Sequence, residues 1–415
     1  MKRFSRRTLP VLFAVAMAGP ARAADSMPDS LAPRTLEDYT RLARSANAAL
    51  KAATYRAAAA RERVGTAGSL SDPRLTYGYY VAHDDMQGRQ ELLVLQELPF
   101  FGKRGMRREV SSRDARAEAH NAHAAALDVD FEVKRAFYQY VGLSETARAL
   151  TSETDLLRRM HEVAQVRYAS GTSEQQDVLK IELALSRVAD ESTINAREIA
   201  ATRARLNELT GRDVASTLPD PEWTVPDVSA IDAIALPDSA LARRPEVAIA
   251  REEVGRAKAS QRLAKREYWP DFMLGFKYEF GADEDAWWEL MAGIDVPIWL
   301  GKRRAMVREA DAMRQSAEYG LQAASLMTSR EVEETAARAR AARERYARFK
   351  DAILPQAEAA FESSEAGYRS GRVDFLDYLD SERMLLEFRK EYAMVIAELG
   401  VSFAELSRAV SAPTE

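Results

Sequence analysis

Asp374, Asp377 and Asp380 stand at every third position just past a sharp reversal, Tyr368-Arg369-Ser370-Gly371-Arg372-Val373. Residues three apart share a helix face, so Asp377 and Asp380 present two carboxylates side by side. Such a pair, brought together in several copies, would favour cations. A plainer reading is that acids favour the positive start of a helix. It suits Asp374 well and Asp380, beyond the first turn, less well. An echo lies about 200 residues earlier, a separation that marks internal duplication: Tyr168-Ala169-Ser170-Gly171-Thr172-Ser173, then Asp177. Tyr, Ser and Gly keep their spacing in both copies, and an Asp falls six residues after each Gly.

Other chemistry is sparse. His120 and His123 lie three apart, but the sequence holds no Cys and no further His close by, and zinc wants more ligands. Met86, Met106, Met273, Met291, Met306 and Met313 could touch soft metals, yet scattered Met is ordinary packing. The chain has no Gly-rich phosphate loop and no Ser/His/Asp arrangement, so the sequence offers no chemistry to catalyse and implies no cofactor.

Long helices and short strands must position the acids. Residues 1–23 read as a secretory leader, with Lys2, Arg3, Arg6 and Arg7, an apolar run Leu9 to Gly19, and Ala21-Arg22-Ala23 for cleavage. The run is too short for a span of roughly 20 residues. Ser5-Arg6-Arg7 leaves twin-arginine export open. Losing the leader removes five basic and no acidic residues, leaving 54 basic against 64 acidic, a balance that argues against nucleic acid. No later stretch is apolar for about 18 residues, so membrane contact would have to be made by strands.

Two copies of one order follow. The first, 24–211, starts with a helix from Thr35 to about Gly68, and Asp72-Pro73 breaks it. A hairpin at 74–98 comes next, with Leu75, Tyr77 and Tyr79 on one side and Leu93 and Leu95 set against Gln90 and Gln96. Pro99-Phe100-Phe101-Gly102-Lys103-Arg104 closes it. A Pro-free helix then runs to Ser170, roughly 97 Å at 1.5 Å per residue. Ala115, Ala119, Ala122, Ala126, Val129, Val133, Ala136, Tyr140, Leu143, Ala147, Leu150, Thr154 and Leu157 form its four-three seam. At the tip, 168–173, Gly171 supplies a left-handed helix end, and Ser173 with Gln176 resembles a capping box. Residues 212–238 form a Pro-rich linker without a core of its own.

The second copy, 239–410, repeats this order: a helix, a hairpin at 271–297, the exit Pro297-Ile298-Trp299-Leu300-Gly301-Lys302-Arg303, and a long helix kinked or broken at Pro355. The tip at 368–374, a last helix and a tail at 411–415 complete the chain. Each strand is long enough to cross a bilayer at a tilt. Tyr77, Tyr79, Tyr80, Trp269, Trp287, Trp288 and Trp299 sit at strand ends as interfacial girdles do. Four strands cannot close a barrel, and open edges are not tolerated in lipid. Either the hairpins are soluble caps on plain coiled coils, or two or three chains pool them.

The ordered set, twice over, resembles the TolC-like outer-membrane efflux proteins across nearly the whole mature chain. Its carriers are the helix–hairpin–helix order, the two Gly-Lys-Arg exits, the two Tyr-x-x-Gly tips, and Leu241-Ala242-Arg243-Arg244-Pro245-Glu246. The resemblance implies a mainly α protomer, joined as a homotrimer with a twelve-stranded barrel in the outer membrane and a helical periplasmic tunnel. It implies a passive duct, not an enzyme, docked to a periplasmic adaptor and an inner-membrane pump of the RND type. Gly-Lys-Arg after an aromatic pair is similar to the branch serving metal-cation pumps; ducts for drugs, small molecules or secreted polypeptides share the fold. By the same resemblance, Asp377, Asp380 and Asp177 form the periplasmic gate. Tyr168, Ser170, Gly171, Thr172, Tyr368, Ser370, Gly371 and Arg372 dock the adaptor. Val373 stands where the family often has an Arg that ties the mouth shut. A non-conducting periplasmic scaffold or adhesin is the alternative from another class.

Overall fold

The structure, a computed structural model, describes residues 33–81, 88–226, 237–281 and 286–411. The leader, the polar turns, the second part of the linker and the end of the tail lie outside these residues. Helices α1 (Leu36–Ala46) and α2 (Ala48–Ala67) lead to strands β1 (Arg74–Tyr79) and β2 (Gln90–Leu98), then to α3 (Lys103–Ala169) and α4 (Gln175–Leu209). A short α5 (Pro237–Arg243) opens the second copy. It continues with α6 (Pro245–Arg266), β3 (Asp271–Phe280), β4 (Trp287–Asp295), α7 (Leu300–Arg348), α8 (Leu354–Arg369) and α9 (Phe375–Ala409). Among the described residues no helix is long and apolar enough to cross a membrane.

One helix expectation changes and another narrows. The single helix from Thr35 to Gly68 is two, because Asn47 leaves the helical region at ψ 124°. Its side chain accepts from Leu50 N–H at 3.0 Å and donates to the Leu209 carbonyl at 2.9 Å. The cap thereby ties the start of α2 to the end of α4. Pro355 does not break its helix. Proline has no N–H and its ring presses on the carbonyl four residues back. A π segment, Phe349–Ile353, takes up the strain, with Leu354 N–H bonded to the Phe349 carbonyl, and α8 continues.

α3 is the axis on which α1, α2, α4, α6 and α9 pack. Its seam is buried or half-buried from Ala115 to Leu157, and Met160 and Ala164 extend it toward the tip. Midway, Val133, Phe137, Tyr140 and Val141 meet Tyr39, Leu206 and Ile396 in one core cluster. Nearer the tip, Leu150, Leu157, Ile181 and Leu379 meet in another. Each fully buried Leu or Ile there contributes about 2 kcal/mol. The α3–α9 contact depends on Gly400, where a Cβ would collide with the Tyr138 ring. The linker residues 212–226 have no core of their own, but Leu218 enters the midway cluster and Tyr140 donates to the Pro219 carbonyl at 2.9 Å.

The hairpins fuse into one antiparallel sheet in the order β1-β2-β3-β4, because β2 also pairs with β3. Directly opposite residues share a face, so the registers sort the side chains. Leu75, Tyr77 and Tyr79 continue through Leu92 and Val94 to Phe272, Leu274, Phe276 and Tyr278, then to Trp288, Leu290 and Ile294. That face carries no charge. The other face holds every charged strand residue: Arg74 and Lys277 against Glu91, Glu97, Asp271, Glu279, Glu289 and Asp295. Leu93 and Leu95 lie on this charged face with Glu91 and Glu97, on the side away from Gln90 and Gln96, as strand alternation sets them. Strand β2 is apolar at both parities from Leu92 to Leu95, so only its pairing with the aromatic β3 fixes which residues join the apolar side.

Candidate functional site

Both tips are built by the same backbone chemistry. Gly171 and Gly371 adopt φ of 74° and 72°, the left-handed region where a Cβ is costly. Gly171 N–H donates to the Tyr168 carbonyl at 3.0 Å and Thr172 N–H to the Arg167 carbonyl at 2.9 Å. In the second tip Gly371 N–H donates to the Tyr368 carbonyl at 3.1 Å and Arg372 N–H to the Gly367 carbonyl at 2.9 Å. This paired bonding is the Schellman helix stop. Around it, Ser170 Oγ lies 2.9 Å from Thr172 Oγ1, and Arg372 Nε donates to Ser370 Oγ at 3.0 Å.

The tips differ above the backbone. Tyr168 is 48% exposed and Tyr368 only 7%. Tyr368, expected on the docking surface, is a packing residue. Its ring stacks on Tyr378 at 5.0 Å, meets Phe375 edge-on and lies under the Arg167 guanidinium. Burial pushes the Tyr378 phenol up to about 12. Val373 folds over Gly367, where any Cβ would strike it, so the residue in place of the expected Arg serves the turn. The capping box at Ser173 does not form: α4 is preceded by Glu174 with no side-chain cap, and Ser173 Oγ is buried without a hydrogen-bond partner. The second copy is capped by Asp374, which accepts from Asp377 N–H at 2.9 Å.

The acids divide by environment. Asp377 and Asp380 are exposed, and Asp380 lies 3.6 Å from Arg383. Asp177 is half-buried. Desolvation raises its pKa above the usual carboxylate range, Lys180 opposes this, and Glu174 and Asp374 repel it further. Asp374 of the second tip thus adds to the field at Asp177 of the first within a single chain, after Glu174, while Asp377 and Asp380 do not enter it. Among the described residues no group of three His, Asp or Glu is placed to hold a metal ion.

Four polar features lay outside the sequence expectations. Glu153 on α3 is 4% exposed and Glu382 on α9 is 1% exposed, each with a carboxyl oxygen lacking a partner. Burial lifts Glu153 to about 7 against the pull of Arg389. Lys103, the Lys of the first Gly-Lys-Arg, is 1% exposed. Its Nζ reaches Asp271 at 2.9 Å, Glu267 at 3.3 Å and the Trp269 carbonyl at 2.9 Å, pinning the start of α3 to the entry of β3. Near the other end of α9, Arg244 joins Glu246, Glu331 and the Ala409 carbonyl, while Arg408 joins Glu246 and Asp128. The Arg-Arg-Pro-Glu string and the Gly-Lys-Arg exits signalled these junctions. Nothing signalled Glu153, because a lone Glu on an Arg- and Glu-rich helix reads as solvated.

The sequence profile of a family described as outer membrane efflux protein matches residues 236–412. The cobalt-zinc-cadmium resistance protein CzcC of Cupriavidus metallidurans is 22% identical over 384 residues, covering 89% of this chain and 88% of its own. The pyoverdine export outer membrane protein OpmQ of Pseudomonas putida is 22% identical over 422 residues, covering 92% and 88%. Among solved structures, CusC, described in terms of transmembrane channel formation, superposes with a TM-score of 0.78 at 16% identity, over 90% of this chain and 91% of that one.

Proposed function

We propose that this chain, which belongs to the outer membrane efflux protein family, is a passive exit duct for metal cations, closed by three copies and fed by an inner-membrane pump through a periplasmic adaptor. The single observation that carries this reading is the sheet: one face without a charge, one face with every charge, and two outer strands with free edges. In lipid those edges must be paired. Three four-stranded sheets give twelve strands, within the range of closed bacterial barrels. The apolar face then meets lipid, with Trp288 at the turn end and Trp269 and Trp299 at the helix end as its girdles. The acidic face lines the bore and favours cations. The 67-residue α3 carries the tips about 100 Å from the barrel.

Asp377, Asp380 and Asp177 form the mouth, and Tyr168, Ser170, Gly171, Thr172, Ser370, Gly371 and Arg372 offer the adaptor surface. The name of the CzcC relative supports metal cations as cargo. That of OpmQ favours a second reading, a duct for small organic molecules. Single-channel recording in planar bilayers tests the duct and its gate. Small cation-selective currents that rise in Asp377→Ala/Asp380→Ala support both. No conductance from the folded oligomer supports a scaffold instead, and currents unchanged by the double substitution remove the gate. A deletion strain with wild-type tolerance of zinc, cobalt and cadmium would reject metal as the cargo.

A further inference from the structure

The duplication supplies a template for the contact between copies. Counterparts in the two halves are separated by 199 residues at three places: Ala67 and Arg266, which end α2 and α6; Asp72 and Asp271; and Lys103 and Lys302. Pro99 and Pro297 are separated by 198, the extra residue of the second half lying between that proline and its lysine. The hairpin registers agree with these offsets. Arg74 faces Leu95 in the first hairpin, and their counterparts Met273 and Gly293 face each other in the second.

Within the chain, the end of the first half meets the start of the second in two ways: β2 pairs with β3, and Lys103 is buried on Asp271. Among the described residues, the end of the second half and the start of the first have no such partners in the same chain. Strands β4 and β1 are the sheet edges, and Lys302, Asp72, Arg74 and Asp295 are all exposed, with no ion pair to another of the described residues. We propose that these groups meet across the boundary between copies. Strand β4 pairs with β1 of a neighbouring copy so that Asp295 faces its Arg74, and Lys302 binds its Asp72 as Lys103 binds Asp271.

The register follows from β2–β3, where Glu97 faces Met273; the counterparts of these two residues are Asp295 and Arg74. Two independent features fit it. Asp295 lies directly opposite Asp271 in the sheet, an unfavourable pairing of like charges. Lys103 answers Asp271 and among the described residues no cation answers Asp295, so a cation on its open side is what this position lacks. The same register sets Leu75 against Ile294 and Tyr79 against Leu290, continuing the uncharged face across the boundary.

This inference rests on the barrel reading above, and the test separates the two. The protein has no Cys, so Leu75→Cys/Ile294→Cys introduces one engineered pair, and opposed strand residues are close enough for a disulfide. Oxidation of the detergent-purified protein is expected to give crosslinked dimers and trimers on denaturing gels. Leu75→Cys/Leu290→Cys, four residues out of register, is expected to give none. Lys302→Asp is expected to lose the heat-resistant trimer band, and Lys302→Asp/Asp72→Lys to regain it. A trimer by light scattering that crosslinks only in the shifted pair overturns the register and leaves the duct standing. Failure of the double reversal to restore the band, with the Leu75/Ile294 crosslink present, overturns the Lys302–Asp72 contact. A wild-type monomer in detergent overturns both readings.

Discussion

Glu153 should make the stability of the helical body fall as pH rises through neutrality. Its folded pKa is about 7 against an ordinary 4.5, so the folded chain holds this proton more tightly than the unfolded chain does. The stabilising contribution is complete below about pH 4.5, shrinks between 4.5 and 7, and is gone above that window. At about 1.4 kcal/mol per pKa unit, the swing is about 3 kcal/mol. Glu153→Gln keeps the shape and removes the titration. With unfolding entropy near 2.1 cal/mol/K per residue, about 3 kcal/mol corresponds to about 4 °C for a chain of this length. Circular dichroism melts of both proteins in detergent should coincide near pH 4, where Glu153 is protonated in the folded and largely in the unfolded chain. Near pH 8.5 the Gln variant should melt about 4 °C higher. Other titrating groups are common to both proteins, so the change in their separation isolates Glu153. A separation that stays constant across the range would refute the reasoning.

Two further outcomes follow from packing and charge. Gly400→Ala places a methyl group in the Tyr138 ring; overpacking of this kind costs about 1–3 kcal/mol, and the melting temperature should fall at every pH. Lys103→Met leaves Asp271 and Glu267 without their buried cation at a cost of about 3 kcal/mol. It should reduce the folded protein recovered from the outer-membrane fraction, and Lys103→Met/Asp271→Asn should recover part of it.

Much of the architecture was legible because it repeats and because its periodicities are long. The seam from Ala115 to Leu157 recurs over many turns, and glycines at both tips are needed for the left-handed stop. What stayed hidden had a local cause in each case. Asn47 reads as one more polar residue until its amide is seen bonded to the Leu209 carbonyl. Tyr168 and Tyr368 occupy the same motif position, and only the neighbours of the second, Arg167, Phe375 and Tyr378, take it out of solvent.

The sequence by itself determined the duplicated order of elements, the helix stops at Gly171 and Gly371, and a strand count too small for one copy to close a barrel. These depend on backbone conformation and on the count of residues along the chain. Tertiary structure alone decided that β2 joins β3 and so which side of β2 continues the aromatic face, that Lys103 is buried and that Glu153 holds its proton. Each of those depends on which distant segment lies alongside, and burial and field strength are properties of that neighbour rather than of the residue.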